Sequence, residues 1–288
     1  MFRWLTARGA TRRRVEMTSA RIGDAQWRDA LRRHPFLVGL TPDEQQALRQ
    51  RTAWLLASKS FNGAQGLQVT DAMMLSIAVQ AALPILALDP GLYAGWHEII
   101  VYPGGFLIPR SDVDDSGVVH EYLQPASGEA WEGGPVILSW EDVDQTDMGY
   151  ADNVVIHEFA HKLDLHAGDA DGVPYLGAHP HLRTQQWRKV LQASYESFNH
   201  ALDQIEQAIP SHVDPESDAA APWYEQLPLD PYAATDEAEF FAVSSEAFFV
   251  DPEPLARSLP QWYGLLAGYY RQDPLQRQLA VGAEPTHG

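Results

Sequence analysis

Apolar residues recur along the chain with two different periods, and the change of period divides it. Thr41-Pro42-Asp43-Glu44 reads as an N-cap, a proline at the first helical position and the Glu of a capping box. The apolar positions Leu48, Trp54 and Leu55 carry that helix to about Ser58. Thr70 and Asp71 cap a second helix over 72–83, which Pro84 stops. From about 99 the pattern turns to sheet. Ile99-Ile-Val-Tyr102 and Phe106-Leu-Ile108 flank the turn Pro103-Gly-Gly105, and 118–123 and 135–140 are further runs rich in β-branched and aromatic residues. The helical period returns over 154–165, 185–209, 237–250 and 261–271, with the Pro-, Asp- and Ala-rich stretch 210–231 as a loop. Strands gathered ahead of helices, without regular alternation, predict an α+β fold rather than a doubly wound parallel sheet.

Composition narrows the class. Of 288 residues, 45% are hydrophobic and 20% charged, which suits a folded chain with a sizeable core. The expected division is an N-terminal tail over 1–34, one domain over 35–277 and a flexible C-terminal tail over 278–288. No apolar run is long enough to span a membrane, and the N-terminus has no secretory pattern. Without cysteine there is no disulfide, thiolate cage or thiol nucleophile, which fits a cytoplasmic protein. Nine Arg against Glu16, Asp24 and Asp29 make residues 1–33 basic by six charges, so the rest of the chain carries about −25. A body that acidic repels phosphate backbones and argues against direct nucleic-acid binding. The Arg-containing N-terminus is expected to be a solvated, partly disordered tail.

One segment carries chemistry: Asp152-Asn-Val-Val-Ile-His157-Glu158-Phe-Ala-His161-Lys-Leu-Asp164. Residues four apart on a helix lie one above the other, so His157 and His161 can offer ring nitrogens to one point. That spacing suits zinc, with Glu158 beside the open coordination position. The pattern is expected by chance on the order of 0.02 times in such a chain, so two incidental helix histidines are the weaker reading. Asp152 serves as the expected N-cap, and Asp164, on the same face, is a candidate supporting partner rather than a ligand.

A catalytic site needs a third ligand. The extended H-E-x-x-H-x-x-G-x-x-H pattern fails, because its last two positions hold Asp164 and Ala167. The ligand must come from another helix, and the best candidate follows Thr235-Asp236. Glu239 opens a mostly apolar helix there and needs a partner as it enters the core. A capping box with Asp236 is the competing role for Glu239, and Glu246, seven residues on, is the rival ligand or a supporting group. Among other histidines, His179 and His181 flank Pro180 in a loop, while His97 and His120 lie in strand patterns. None of the four is expected to bind metal.

At these residues the sequence resembles the Mlc titration factor A family of bacterial zinc peptidases. The resemblance rests on His157-Glu-Phe-Ala-His161-Lys-Leu-Asp164, Gly172-Val-Pro174 and Tyr232-Ala-Ala-Thr-Asp-Glu-Ala-Glu239-Phe-Phe-Ala242. It also takes in His97-Glu-Ile-Ile-Val-Tyr-Pro103, Gly134-Pro-Val-Ile-Leu-Ser-Trp140 and Tyr270-Arg-Gln-Asp-Pro-Leu-Gln-Arg277, and so covers roughly 35–277. The zinc site is similar to that of the anthrax lethal factor catalytic domain. The pattern predicts one compact domain with a helical N-terminal extension, and the resemblance implies that it is zincin-like, with a small mixed or antiparallel sheet and an active-site helix. It implies one zinc ion on His157, His161 and Glu239, Glu158 as catalytic base and Tyr232 as transition-state stabiliser. The implied reaction is hydrolysis of short peptides, as in an aminopeptidase, by water that Glu158 activates. It also implies, as a second or alternative role, binding of a DNA-binding repressor resembling Mlc. Residues 136–140 are expected to form an edge strand able to pair with an extended peptide. The connection before Tyr232 is longer than in the family, and the N-terminal arginines are expected to lie outside the match.

Overall fold

The computed structural model describes residues 3–113, 119–144 and 152–283. Helices α1 (Arg3–Arg21), α2 (Asp24–Arg32) and α3 (Pro42–Ser58) come first, then β1 (Ser60–Gly63), α4 (Asp71–Ala82) and β2 (Glu98–Tyr102). Strands β3 (Phe106–Val113), β4 (Val119–Ala126), β5 (Gly128–Ala130) and β6 (Val136–Ser139) follow, ending in the short α5 (Trp140–Asp144). The rest is helical: α6 (Val154–Leu165), α7 (Thr184–Ala208), α8 (Ala221–Tyr224), α9 (Glu237–Val250), α10 (Pro252–Ser258), α11 (Pro260–Tyr270) and α12 (Pro274–Ala283). The fold is α+β with a small mixed sheet.

Local chemistry sets several boundaries as read from sequence. Thr41 Oγ1 accepts from Glu44 N, and Glu44 Oε2 accepts from Thr41 N at 2.8 Å, which closes the capping box of α3. Thr70 Oγ1 accepts from Met73 N at the start of α4. The N-terminal segment, expected as a tail, is helical instead. Ile22, Trp27 and Ala30 are buried, and Arg49 of α3 binds Asp24 Oδ1 at 2.8 Å and the Ile22 carbonyl. Its apolar positions are few, but α1 packs on α3 and α2 on α4, which composition alone conceals. At the other end α12 runs to Ala283, beyond the expected limit at 277.

The sheet order is β1-β2-β6-β5, with β1, β2 and β6 parallel and β5 antiparallel at the end. Ile99 pairs with Val136 and Val101 with Leu138, and all four side chains are buried. Strand β6 is therefore internal, and the expected edge strand at 136–140 is corrected: the edge is β5. Nor do β2 and β3 form a hairpin across Pro103-Gly-Gly105. Strand β3 leaves the sheet and pairs antiparallel with β4 in a separate ribbon.

Behind the sheet the core is aromatic. Phe240, Phe241, Phe248 and Phe249 of α9 are buried together with Trp187, Trp262, Tyr269 and Tyr270. Ring centroids such as Trp187–Trp262 at 5.0 Å and Phe248–Tyr270 at 5.5 Å give α9 rigid neighbours on several sides.

A buried histidine gives the fold an acid-sensitive joint. His34, 1% exposed, places Nε2 3.2 Å from Ser76 Oγ of α4, and burial, with Arg33 beside it, lowers its pKa to about 4 from 6.5. The unfolded chain takes up this proton near 6.5 and the folded chain only near 4. The stability that neutral His34 contributes is therefore present above 6.5 and drains away as pH falls toward 4. In urea titrations the advantage of wild type over His34→Gln should shrink steadily from pH 7 to pH 4.5; a pH-independent difference would count against this joint.

Candidate metal centre

The N-terminus of α6 is fixed before its histidines appear. Asn153, not the expected Asp152, is the N-cap: its Oδ1 accepts from Ile156 N at 2.9 Å. Asn153 Nδ2 also donates to Gln80 Oε1 on α4 at 2.7 Å, and its backbone N donates to Glu246 Oε2 at 2.5 Å. Asp152, freed from capping, lines the cleft. Val155, Ile156, Phe159, Ala160 and Leu163 bury the inner face of α6 completely. His157 and His161 emerge one turn apart on the other face, with their Nε2 atoms 3.1 Å apart.

Helix α9 supplies the remaining groups. Asp236 Oδ1 accepts from Glu239 N at 2.8 Å and starts the helix. The Glu239 carboxylate does not return to the Asp236 backbone. Its Oε2 lies 3.1 Å from His157 Nε2 and 3.2 Å from His161 Nε2. Two turns on, Glu246 Oε1 lies 2.6 Å from His157 Nδ1, behind the ring rather than in the cluster. A carboxylate at Nδ1 holds the proton there and leaves the Nε2 lone pair facing inward. Two imidazole nitrogens and one carboxylate oxygen thus form a nearly equilateral triangle, a group able to hold a metal ion. Ligands on a tetrahedral ion at zinc distances stand about 3.3 Å apart, so the triangle fits such an ion with little change. Burial works against ionising Glu239, but hydrogen bonds donated by the two imidazoles in their protonated form hold it below the usual carboxylate range; the Nε2 lone pairs turn inward only when a metal takes the proton's place.

Glu158 faces the same cleft from the next position on α6. It is 3% exposed, and its Oε2 has no hydrogen-bond partner among the described residues. Burial pushes its carboxyl up to about 7, against the pull of His157 and His161. Tyr232, in the short turn before α9, places its hydroxyl 3.4 Å from Glu239 Oε1 and is 43% exposed, so it is no buried structural phenol. Asp164 stands apart from the cluster: fully buried, it accepts from Gly172 N at 2.7 Å and ties α6 to the following loop. His179 is buried against Tyr269, and neither it nor His181 nor His97 lines the cleft. The His120 side chain lies outside the described residues.

Sequence reading missed the opposite wall. Strand β5 runs over Glu158 so closely that a Cβ on Gly128 would fall 2.2 Å from Oε1. Three residues with no apolar alternation give no strand signal. The cleft, of about 880 Å³, is also lined by Glu129, Asp142, Asp152 and Asp230, and among the described residues no Lys or Arg lines it.

Comparison with known proteins agrees with this geometry. A family described as glucose-regulated metallo-peptidase M90 matches residues 8–271. The chain belongs to that family. Mlc titration factor A of Serratia proteamaculans is 38% identical over 261 residues, covering 90% of this chain and 92% of the relative. The namesakes from Pectobacterium atrosepticum (36%, 84% of each chain) and Salmonella schwarzengrund (35%, 92% of each) are similar. The match begins at residue 8, so it takes in most of α1 and corrects the expectation that likeness starts near 35.

The hydrogen bond behind His157 carries a measurable consequence. Glu246→Ala should weaken metal binding by roughly 10–100-fold, measured by chelator competition. An unchanged affinity would mean that His157 is oriented by packing alone.

Proposed function

We propose that this protein is a zinc-dependent peptidase that hydrolyses short peptides. The observation that carries the reading is the convergence of His157, His161 and Glu239 beside a buried, unpartnered oxygen of Glu158. A divalent ion on those three side chains supplies, when bound, an acidified water nucleophile and Lewis-acid polarisation of a carbonyl. Glu158 Oε2 takes the proton of the attacking water and returns it to the leaving amine nitrogen, a task suited to a buried carboxyl whose oxygen is bonded to no other described group. The Tyr232 hydroxyl, 3.4 Å from Glu239 Oε1, donates to the developing oxyanion in this reading, a contribution typically worth about 3 kcal/mol. Strand β5 ends the sheet and lines the cleft, so its outer edge can pair with an extended peptide. Carboxylates lining the cleft, with no Lys or Arg among its described lining residues, favour a peptide presented by its free amino end, as in an aminopeptidase.

Glu158→Gln should keep its zinc, measured by elemental analysis, yet lose peptide hydrolysis by at least about 10²-fold. His157→Ala or Glu239→Ala should lose the metal itself. Full activity in Glu158→Gln would refute the mechanism.

A second role is supported by the name of the relatives, Mlc titration factor A, which points to the repressor Mlc. The net charge of −19 favours a basic partner. Under this reading Glu158→Gln captures a purified repressor resembling Mlc as well as wild type does in a pull-down. Absence of capture by both would remove the role.

A further inference from the structure

The hairpin that carries the edge strand is tied to the metal-binding helix by one buried cation. Lys162 follows His161 directly and lies four residues after Glu158, so Glu158 and Lys162 share one face of α6. That face meets the β5–β6 hairpin at two points one turn apart. At the first, Gly128 lies against the Glu158 carboxyl. At the second, Lys162 Nζ donates to the carbonyls of Trp131 and Gly134, at 2.5 and 2.9 Å. Those two residues open and close the turn between β5 and β6, with Gly134 N bonded back to the Trp131 carbonyl at 3.1 Å. The ammonium also lies 4.9 Å from the Trp96 ring centroid, and Lys162 is only 3% exposed.

A buried ammonium is costly unless its donors are used, and a Leu or Met would fill the same volume without that cost. What the cation adds is direction: it fixes two carbonyls of the turn relative to α6. We propose that Lys162 is a positioning residue, clamping the β5–β6 turn to α6 and setting the gap between the outer edge of β5 and Glu158. That gap is where an extended peptide lies, so the proposal rests on the peptidase reading above. Lys162 does not line the cleft; its hydrogen bonds reach substrate through β5, and its charge reaches the Glu158 carboxyl only at a distance. Its loss should therefore weaken peptide binding more than turnover, and should leave the metal in place.

The test compares Lys162→Met, which keeps the apolar stem, with Lys162→Gln, which keeps one donor. In the zinc-loaded full-length protein, Lys162→Met should raise KM for a short peptide about tenfold or more while kcat changes far less. Zinc content should stay at wild-type level. Amide exchange over 128–134 should quicken about tenfold or more, with exchange across α9 unchanged. Lys162→Gln should fall between wild type and Lys162→Met, and it carries the same readouts if Lys162→Met does not fold. Unchanged exchange in the hairpin overturns the proposal, as does faster exchange with an unchanged KM. So does a fall in kcat accompanied by zinc loss, which would place the role of Lys162 at His161 instead. An inactive wild type would defeat the peptidase reading, while the exchange measurement would still decide whether Lys162 holds the hairpin.

Discussion

The contact between α6 and α9 is the constraint on which the site depends. Helix α9 is buried on nearly all sides by aromatic rings, yet it carries two carboxylates, Glu239 and Glu246, seven residues apart and so on nearly one face. Neither can remain in such a place without partners. The two bracket one imidazole: Glu239 meets His157 Nε2 and Glu246 meets Nδ1. One helix thus provides both an inward-facing oxygen of the triangle and the group that fixes the tautomer of a ring on the neighbouring helix. Slippage of α9 by one residue would turn both carboxylates about 100° away. The aromatic packing behind α9, remote from the chemistry, is what prevents it.

Two acids within one cleft are held at opposite ends of the carboxylate range. Glu239, bonded to both imidazoles, stays ionised, whereas Glu158, buried with a free oxygen, rises to about 7. Environments that push paired groups apart in this way are the pattern expected where two acids serve different tasks. The permanently charged group suits a cation, and the group near neutrality suits proton transfer. Both depend on what surrounds them: Glu239 on the ring orientation that Glu246 imposes, Glu158 on the close approach of Gly128, where any side chain would displace its carboxyl.

What was legible in the sequence is what local chemistry determines. The capping box at Thr41, the extent of α6 and α9, and the pairing of His157 with His161 follow from spacing within one segment. Spacing brought Glu239 only to a choice between ligand and cap, because the answer depends on which way one side chain turns. Asn153 and Asp152 are equally good caps by residue type; the contacts of Asn153 with Gln80 and Glu246 decide between them, and these come from distant helices. Strand β5 was invisible because three residues carry no period, and β6 was misread as an edge because sheet order is set by pairing across the chain. Trp27 and its neighbours are too sparse among arginines to announce α1 and α2, although α3 and α4 receive these helices.

The two charged residues after His161 make the same point about the helix itself. Lys162 and Asp164 are both buried, an arrangement that propensity and patterning disfavour in a helix that also has to fill a core. They are complementary in what they bind. The cation takes two backbone carbonyls of the β5–β6 turn, and the anion takes a backbone N–H at Gly172. Each therefore satisfies main-chain groups in a segment with no regular structure of its own at that point. Because the two residues project from α6 in different directions, the helix is held to separate stretches of chain. The imidazole pair is thereby fixed against rotation about the helix axis, the one motion that packing of a smooth apolar face resists least.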